Sequence, residues 1–270
     1  MSTVPIVVTI AGSDSGGGAG IQADIKSMSA NGVYAASVIT ALTAQNTLGV
    51  TAIHDVPADF ITAQIEALFS DLDVAAVKIG MLSQPAAIDA VAAGLLKWKP
   101  THVVLDPVMV AASGDPLIAD EAVELLVARL FPFASLVTPN LHEAARITGE
   151  PVAQTDSQIA TQAEQILGQG ASAVLIKGGH SEGGESRDYL LSSNLERWFE
   201  APRIDTQNTH GTGCSLSSAI ASHLAHGRPL EDAVRRAKHW LTGAIRHSDE
   251  LKIGKGHGPV HHFHQLWERQ

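Results

Sequence analysis

One cysteine, Cys214, in 270 residues leaves no intrachain disulfide and fits a reducing compartment. Positive charge is scarce. With 18 Lys and Arg against 28 Asp and Glu, the formal net charge is −10, which argues against nucleic acid or an anionic membrane as partner. No apolar run reaches the length of a bilayer span. The opening Met1-Ser2-Thr3-Val4-Pro5-Ile6-Val7-Val8 lacks the basic stretch of a signal peptide, so a cytoplasmic location is expected. Two nucleotide signatures are also missing. Gly-Lys-Ser and Gly-Lys-Thr do not occur, which excludes a Walker A loop. Gly18, Gly20 and Ala23 satisfy the dinucleotide pattern G-x-G-x-x-A, but no acid lies between Asp24 and Asp55, so the ribose-binding carboxylate is absent.

A polyphosphate on so acidic a chain must be neutralised locally, by backbone amides, a lysine and a divalent cation. The 45% hydrophobic content is enough for a substantial core. Strand-length apolar runs (Val4–Ala11, Tyr34–Ala41, Ala75–Ile79, Val103–Leu105, Leu136–Thr138, Val174–Lys177) alternate with helical periodicity. A mostly parallel sheet with helices on both faces follows. Gly20–Ala30 reads as the first helix, and Phe60–Phe69, entered through Pro57, as an amphipathic one. Asp188–Leu191 and Arg197–Phe199 read as a hairpin. Leu230, Ala233, Val234, Ala237, Leu241 and Ile245 stripe the last helix. Without a repeat or a linker composition, residues 1–270 read as a single domain. The tail His261-His262-Phe263-His264 is interrupted and is not read as a metal site.

Ligands of open parallel sheets bind beyond the carboxyl ends of strands, and polar residues fall there repeatedly: Gly12-Ser13-Asp14, Gln45-Asn46-Thr47, Gly80-Met81, Asp106-Pro107-Val108-Met109, Thr138-Pro139-Asn140 and Lys177-Gly178-Gly179-His180. These point to one composite site. The densest signal is Asn208-Thr209-His210-Gly211-Thr212-Gly213-Cys214 before a helical pattern. Glycines there free amide N–H groups to face an anion at a helix N-terminus. In that position a cysteine pKa falls from about 8.5 to roughly 3.5–7.5, which predicts a thiolate for Cys214.

Other candidates read two ways. Asp24 suits a first-turn helix carboxylate as well as a ligand. Gln45 is a turn residue, or an amide matched to an aminopyrimidine edge. His210 is a pocket wall or a loop histidine. Asp106 and Glu143 are ordinary caps or, together, the one or two carboxylates that Mg²⁺ on a polyphosphate needs. Lys177 is aimed at a phosphate or held in an ion pair.

In order along nearly the whole chain, the stretches IAGSDSGGGAGIQADIKSMSANGVY, SVITALTAQNTLGV, VKIGML, VVLDPVMVAASGDPL, VTPNLHEA, VLIKGGH, APRIDTQNTHGTGCSLSSAIA and GKGHGPVHHFH resemble the hydroxymethylpyrimidine/phosphomethylpyrimidine kinases of thiamine biosynthesis, in the ribokinase-like superfamily. The resemblance implies a three-layer α/β fold, ATP as co-substrate, Mg²⁺ and a homodimer. It implies two phosphorylations, of 4-amino-5-hydroxymethyl-2-methylpyrimidine and then of its monophosphate. It also implies a pyrimidine pocket at Gly12, Asp24, Gln45, Met81, Val108 and Cys214, with His210 beside it. The anion hole falls at Gly211, Thr212, Gly213 and Cys214, whose cysteine stands where sugar-kinase relatives carry an aspartate base, so Cys214 is expected to be catalytic, as the base that takes the alcohol's proton in the first step. Metal ligation is carried over to Asp106 and Glu143, and phosphate binding to Asn140 and Lys177. The loop reads Asp14-Ser15-Gly16-Gly17 where many members have Asp-Pro-Ser-Gly. A pyridoxal kinase of the same superfamily is the alternative.

Overall fold

The structure, a computed structural model, describes residues 4–109, 120–178 and 184–267. Strand β1 (Ile6–Asp14) is a Val/Ile run buried on both faces, as a central strand of a parallel sheet must be. It feeds α1 (Gly20–Ala30) and then β2 (Tyr34–Asn46), parallel to β1. Both strands outrun the sequence expectation. A return strand, β3 (Gly49–Asp55), pairs antiparallel with Ala41–Asn46 and draws β2 past Ala41. Ser13 and Asp14 pair with Leu42 and Thr43 after a register shift in which Gly12 stands against Thr40 and Ala41 of β2, the local bend that an extra residue introduces. Gly12 and Gln45 therefore sit inside strands near their carboxyl ends, not in loops beyond them.

Helix α2 (Ala58–Phe69) starts after Pro57 and buries Ile61 and Ile65, as their spacing predicts. Alternation continues through β4 (Val74–Ile79), α3 (Pro85–Trp98), β5 (His102–Leu105) and α4 (Asp120–Leu130). It runs on through β6 (Leu136–Val137), α5 (Leu141–Thr148), α6 (Asp156–Leu167) and β7 (Ala173–Lys177). The hairpin is β8 (Glu185–Ser192) with β9 (Leu195–Pro202). Helices α7 (Thr212–Ala225) and α8 (Leu230–Arg246) follow, the latter burying Ala233, Val234, Ala237 and Leu241 of the expected stripe.

The sheet runs β3-β2-β1-β4-β5-β6-β7-β8-β9, parallel from β2 to β7 and antiparallel at both margins. One core packs α2 to α6 on one face through residues such as Ile61, Val91, Leu126 and Ile166. A second packs α1, α7 and α8 on the other through Met28, Ile220 and Trp240. This is the three-layer α/β arrangement the alternation predicts. Strand order reverses between β1 and β4, the switch point where such sheets open a crevice. The expected roles of Gly179 and His180, and of the stretch that follows Met109, lie outside the described residues. No helix among the described residues is long and apolar enough to cross a membrane.

Candidate active site

The carboxyl ends of β1, β2, β4, β5 and β7 and the amino end of α7 border one cavity of about 1010 Å³. Every candidate residue lines it except Asp24.

Helix α7 opens on Gly211, whose φ of 79° is left-handed. A Cβ there would also collide with the Gly18 carbonyl oxygen, so the two glycine loops meet where only glycine fits. No side chain caps α7. Helix geometry leaves first-turn N–H groups without intrahelical acceptors, and the Gly213 and Cys214 amides stand in that position. The Thr212 amide instead leans on the Thr209 carbonyl at 3.3 Å, making it the weakest member of the expected hole. A Cβ on Gly213 would lie 3.2 Å from Lys177 Nζ and 3.5 Å from Asp106 Oδ2, so the helix end, the lysine and the carboxylate converge.

Lys177 Nζ donates to Asp106 Oδ1 at 2.7 Å and lies 4.0 Å from Glu143 Oε2. Thr138 and Ser217 hydroxyls also donate to Asp106. Burial drives the Asp106 carboxyl upward, but Lys177 and Lys78 outweigh it and hold it below the usual range. Burial likewise works against the Lys177 ammonium, and Asp106 with Glu143 raises it. Glu143 goes the other way, pushed up to about 7 by burial with Lys177 only partly opposing. Asn140 and Glu143 serve the fold as caps. They form a reciprocal capping box on α5, with Glu143 N to Asn140 Oδ1 at 2.9 Å and Asn140 N to Glu143 Oε2 at 2.7 Å, and the same carboxylate faces Lys177.

On the other side of the cavity, Asp14 gathers the first glycine loop. Its oxygens accept from the amides of Gly16, Gly18 and Ala19 and pair with His210 Nε2 at 2.9 Å. His210 is a pocket wall, 3.4 Å from Gln45 Nε2 and tied to the C-terminal segment by its amide, which donates to Gly258 O. Thr43 Oγ1 lies 3.0 Å from Gln45 Oε1 and helps to hold that amide at the cavity edge. Gly12 abuts Met81, where a Cβ would strike the methionine methyl.

Two expectations are corrected. Asp24 is fully buried and its oxygens are taken by Lys78 Nζ (2.8 and 2.9 Å), Thr9 Oγ1 (2.6 Å) and Ser218 Oγ (2.7 Å); it lies beneath the pocket and offers a ligand nothing. The Cys214 thiol is not acidified. Burial pushes it up to about 11, with Lys78 drawing it down and Asp24 and Asp106 adding to the rise, so the helix end does not outweigh desolvation. Sequence reasoning passed over Lys78, although it too is a lysine near the end of an apolar strand, two residues before Gly80. It also missed Lys238, which lines the far end of the cavity and pairs with Asp188 at 2.6 Å.

A doubly covered parallel sheet with an amide-lined helix end, a lysine and carboxylates at its crevice defines a small-molecule kinase of the ribokinase-like fold. The model of the phosphomethylpyrimidine kinase family matches residues 14–261. The hydroxymethylpyrimidine/phosphomethylpyrimidine kinase of Rhizobium meliloti is 56% identical over 97% of this chain and 98% of its own. Among solved structures, the ADP complex of Bacillus subtilis pyridoxal kinase superposes with a TM-score of 0.91 at 32% identity, covering 98% of this chain and 100% of that one. Phosphomethylpyrimidine kinase of Clostridium difficile superposes with 0.79 at 44% identity, covering 90% and 100%. The chain belongs to the phosphomethylpyrimidine kinase family, and the protein is an enzyme, a kinase that uses ATP as co-substrate.

Proposed function

We propose that this cavity carries two successive phosphoryl transfers from ATP, with the residues in the roles that follow. The reaction is ATP-dependent phosphorylation of 4-amino-5-hydroxymethyl-2-methylpyrimidine to its monophosphate and then to its diphosphate, within thiamine diphosphate biosynthesis. The observation that carries the reading is the convergence of Gly213, Lys177 and Asp106 at the mouth of α7. Catalysis of phosphoryl transfer is mostly positioning and charge stabilisation, and these groups supply both.

Gln45, with Gly12, Met81, Val108 and His210 around it, seats the aminopyrimidine so that its exocyclic carbon faces α7. The amides of Gly213 and Cys214 meet the transferring group, and Lys177 and Asn140 hold the nucleotide phosphates. The base of ATP takes the far end, among Leu241, Ile245 and Pro202. The residues fit Mg²⁺: Asp106 and Glu143 offer hard carboxylate oxygens beside the phosphate-directed Lys177, the small share of ligands that a phosphate-borne Mg²⁺ requires. Bound there, Mg²⁺ would neutralise charge on the phosphates.

Both acceptors use the same hole but differ in protons. An alcohol sheds one during transfer, whereas a phosphate monoester is already anionic. Burial raises the Cys214 thiol well above neutrality, which favours its protonated form at pH 7. Cys214 therefore lines the acceptor site as a neutral thiol, and the alcohol keeps its proton until the loose transfer is well advanced, then passes it to an oxygen of the transferred phosphoryl group.

The chain acts as one kinase domain in the cytoplasm. It pairs as a homodimer through the β2–β3 margin, where the edge strand β3 and the exposed Leu42, Leu48 and Ile53 leave backbone and apolar surface uncovered. Light scattering at a monomer mass would remove the dimer. A coupled ADP-release assay with hydroxymethylpyrimidine, its monophosphate and pyridoxal in parallel tests the activity. Turnover of pyridoxal without either pyrimidine would sink the reading.

A further inference from the structure

Lysine is almost never fully buried unless paired, yet Lys78 and Asp24 are both 0% exposed. A buried ion pair contributes little to stability beyond what apolar residues of the same volume give, so stability alone does not account for one placed under the acceptor. Its connections are specific. Asp24 joins four elements, holding Lys78 of β4, Thr9 of β1 and Ser218 of α7 on the carboxylate that α1 carries. Ser218 lies one turn beyond Cys214, on the same face of α7, so the carboxylate fixes the helix that presents the anion hole. The pair is also oriented. Lys78 borders the cavity and Asp24 does not. Gly80 leaves room for the ammonium, because a Cβ there would lie 2.8 Å from Lys78 Nζ. Cys214 from α7 and Asp106 from the end of β5 are the other ionisable groups that feel the ammonium.

We infer that Lys78 is a positioning residue for acceptor selection: locked on Asp24, it turns the positive end of a buried dipole toward the acceptor and favours the anionic monophosphate over the neutral alcohol. The inference rests on the two-acceptor reading above and adds the group that separates the two steps.

The test compares kcat/KM on both acceptors, with nucleotide affinity and thermal unfolding as controls. Lys78→Met with Asp24→Leu removes the dipole and leaves no uncompensated charge. Its monophosphate activity should fall at least about tenfold more than its alcohol activity, with the loss in acceptor KM, the size of about one charge interaction in a partly screened site. Asp24→Asn leaves the ammonium unneutralised and should move the ratio the opposite way. Ser218→Ala, which frees α7 without touching the charge, should lower both activities alike. An unchanged ratio in the double variant, or in Asp24→Asn should the double variant not fold, overturns the inference while the kinase reading stands. A wild-type protein active on neither pyrimidine overturns that reading and this inference with it.

Discussion

Two lysine–aspartate pairs, one at the cavity wall and one beneath it, are built from the same residue types and used differently. Lys177–Asp106 is open, with the lysine 13% exposed and Nζ shared between Asp106 and the more distant Glu143. Lys78–Asp24 is sealed, both partners at 0%, with hydroxyls of Thr9 and Ser218 completing the carboxylate's bonds. An open pair can trade its carboxylate for a phosphate when nucleotide arrives, because its ammonium reaches the cavity. A sealed pair cannot be exchanged without exposing a buried charge, so it acts by where it holds things. Burial and saturation of hydrogen bonds, more than residue type, separate the ligand from the fixture.

The difference is sharpest in stability. Lys78→Met strands Asp24 as an uncompensated buried charge and should destabilise the protein by about 3–5 kcal/mol, measured by denaturant unfolding. Lys177→Met removes a hydrogen bond to a carboxylate that Thr138 and Ser217 still support, so about 1.5–3 kcal/mol is expected. Equal losses would erase the distinction. Catalysis should rank the two pairs in reverse relative to their stability cost. Lys177→Met should lower kcat by about 10²–10³, the loss on removing one charge-stabilising donor, with acceptor KM little changed. A Lys177 variant with near-normal kcat would show that the open pair is structural too.

Much of this could be read from the chain. The strand–helix alternation gave the layers because parallel strands buried on both faces leave continuous apolar runs, and Gly211 marked the turn into α7 because its left-handed φ of 79° suits glycine. What escaped was set by distant partners. The extension of β2 to Asn46 depends on β3 pairing with it, and the burial of Asp24 depends on Ser218, 194 residues away. Lys78 carried a local signal, a lysine in an apolar strand before glycine, but nothing local separates it from Lys177. Cys214 was misjudged for the same reason: helix position is local, whereas desolvation and the opposing effects of Asp24, Asp106 and Lys78 are not.

The smallest expected effect concerns that cysteine, which lies between the two pairs. Its folded-state pKa of about 11 is raised above the ordinary thiol value by burial. The neutral form is thus favoured by folding, and this contribution to stability is complete below the unfolded pKa of about 8.5. It is lost as pH rises from there through 11. Alkylation of the native protein by iodoacetamide should therefore accelerate about tenfold per pH unit from 7 to 10, without the plateau that an acidified thiolate gives near neutrality. On the same ground, Cys214→Ala should cost both acceptors alike, by about tenfold or less. A loss of 10²–10⁴ confined to the alcohol, the range general-base catalysis supplies, would instead show that bound substrates and Lys78 bring the thiol into ionisation during the first transfer, and would make the sealed pair part of the chemistry itself.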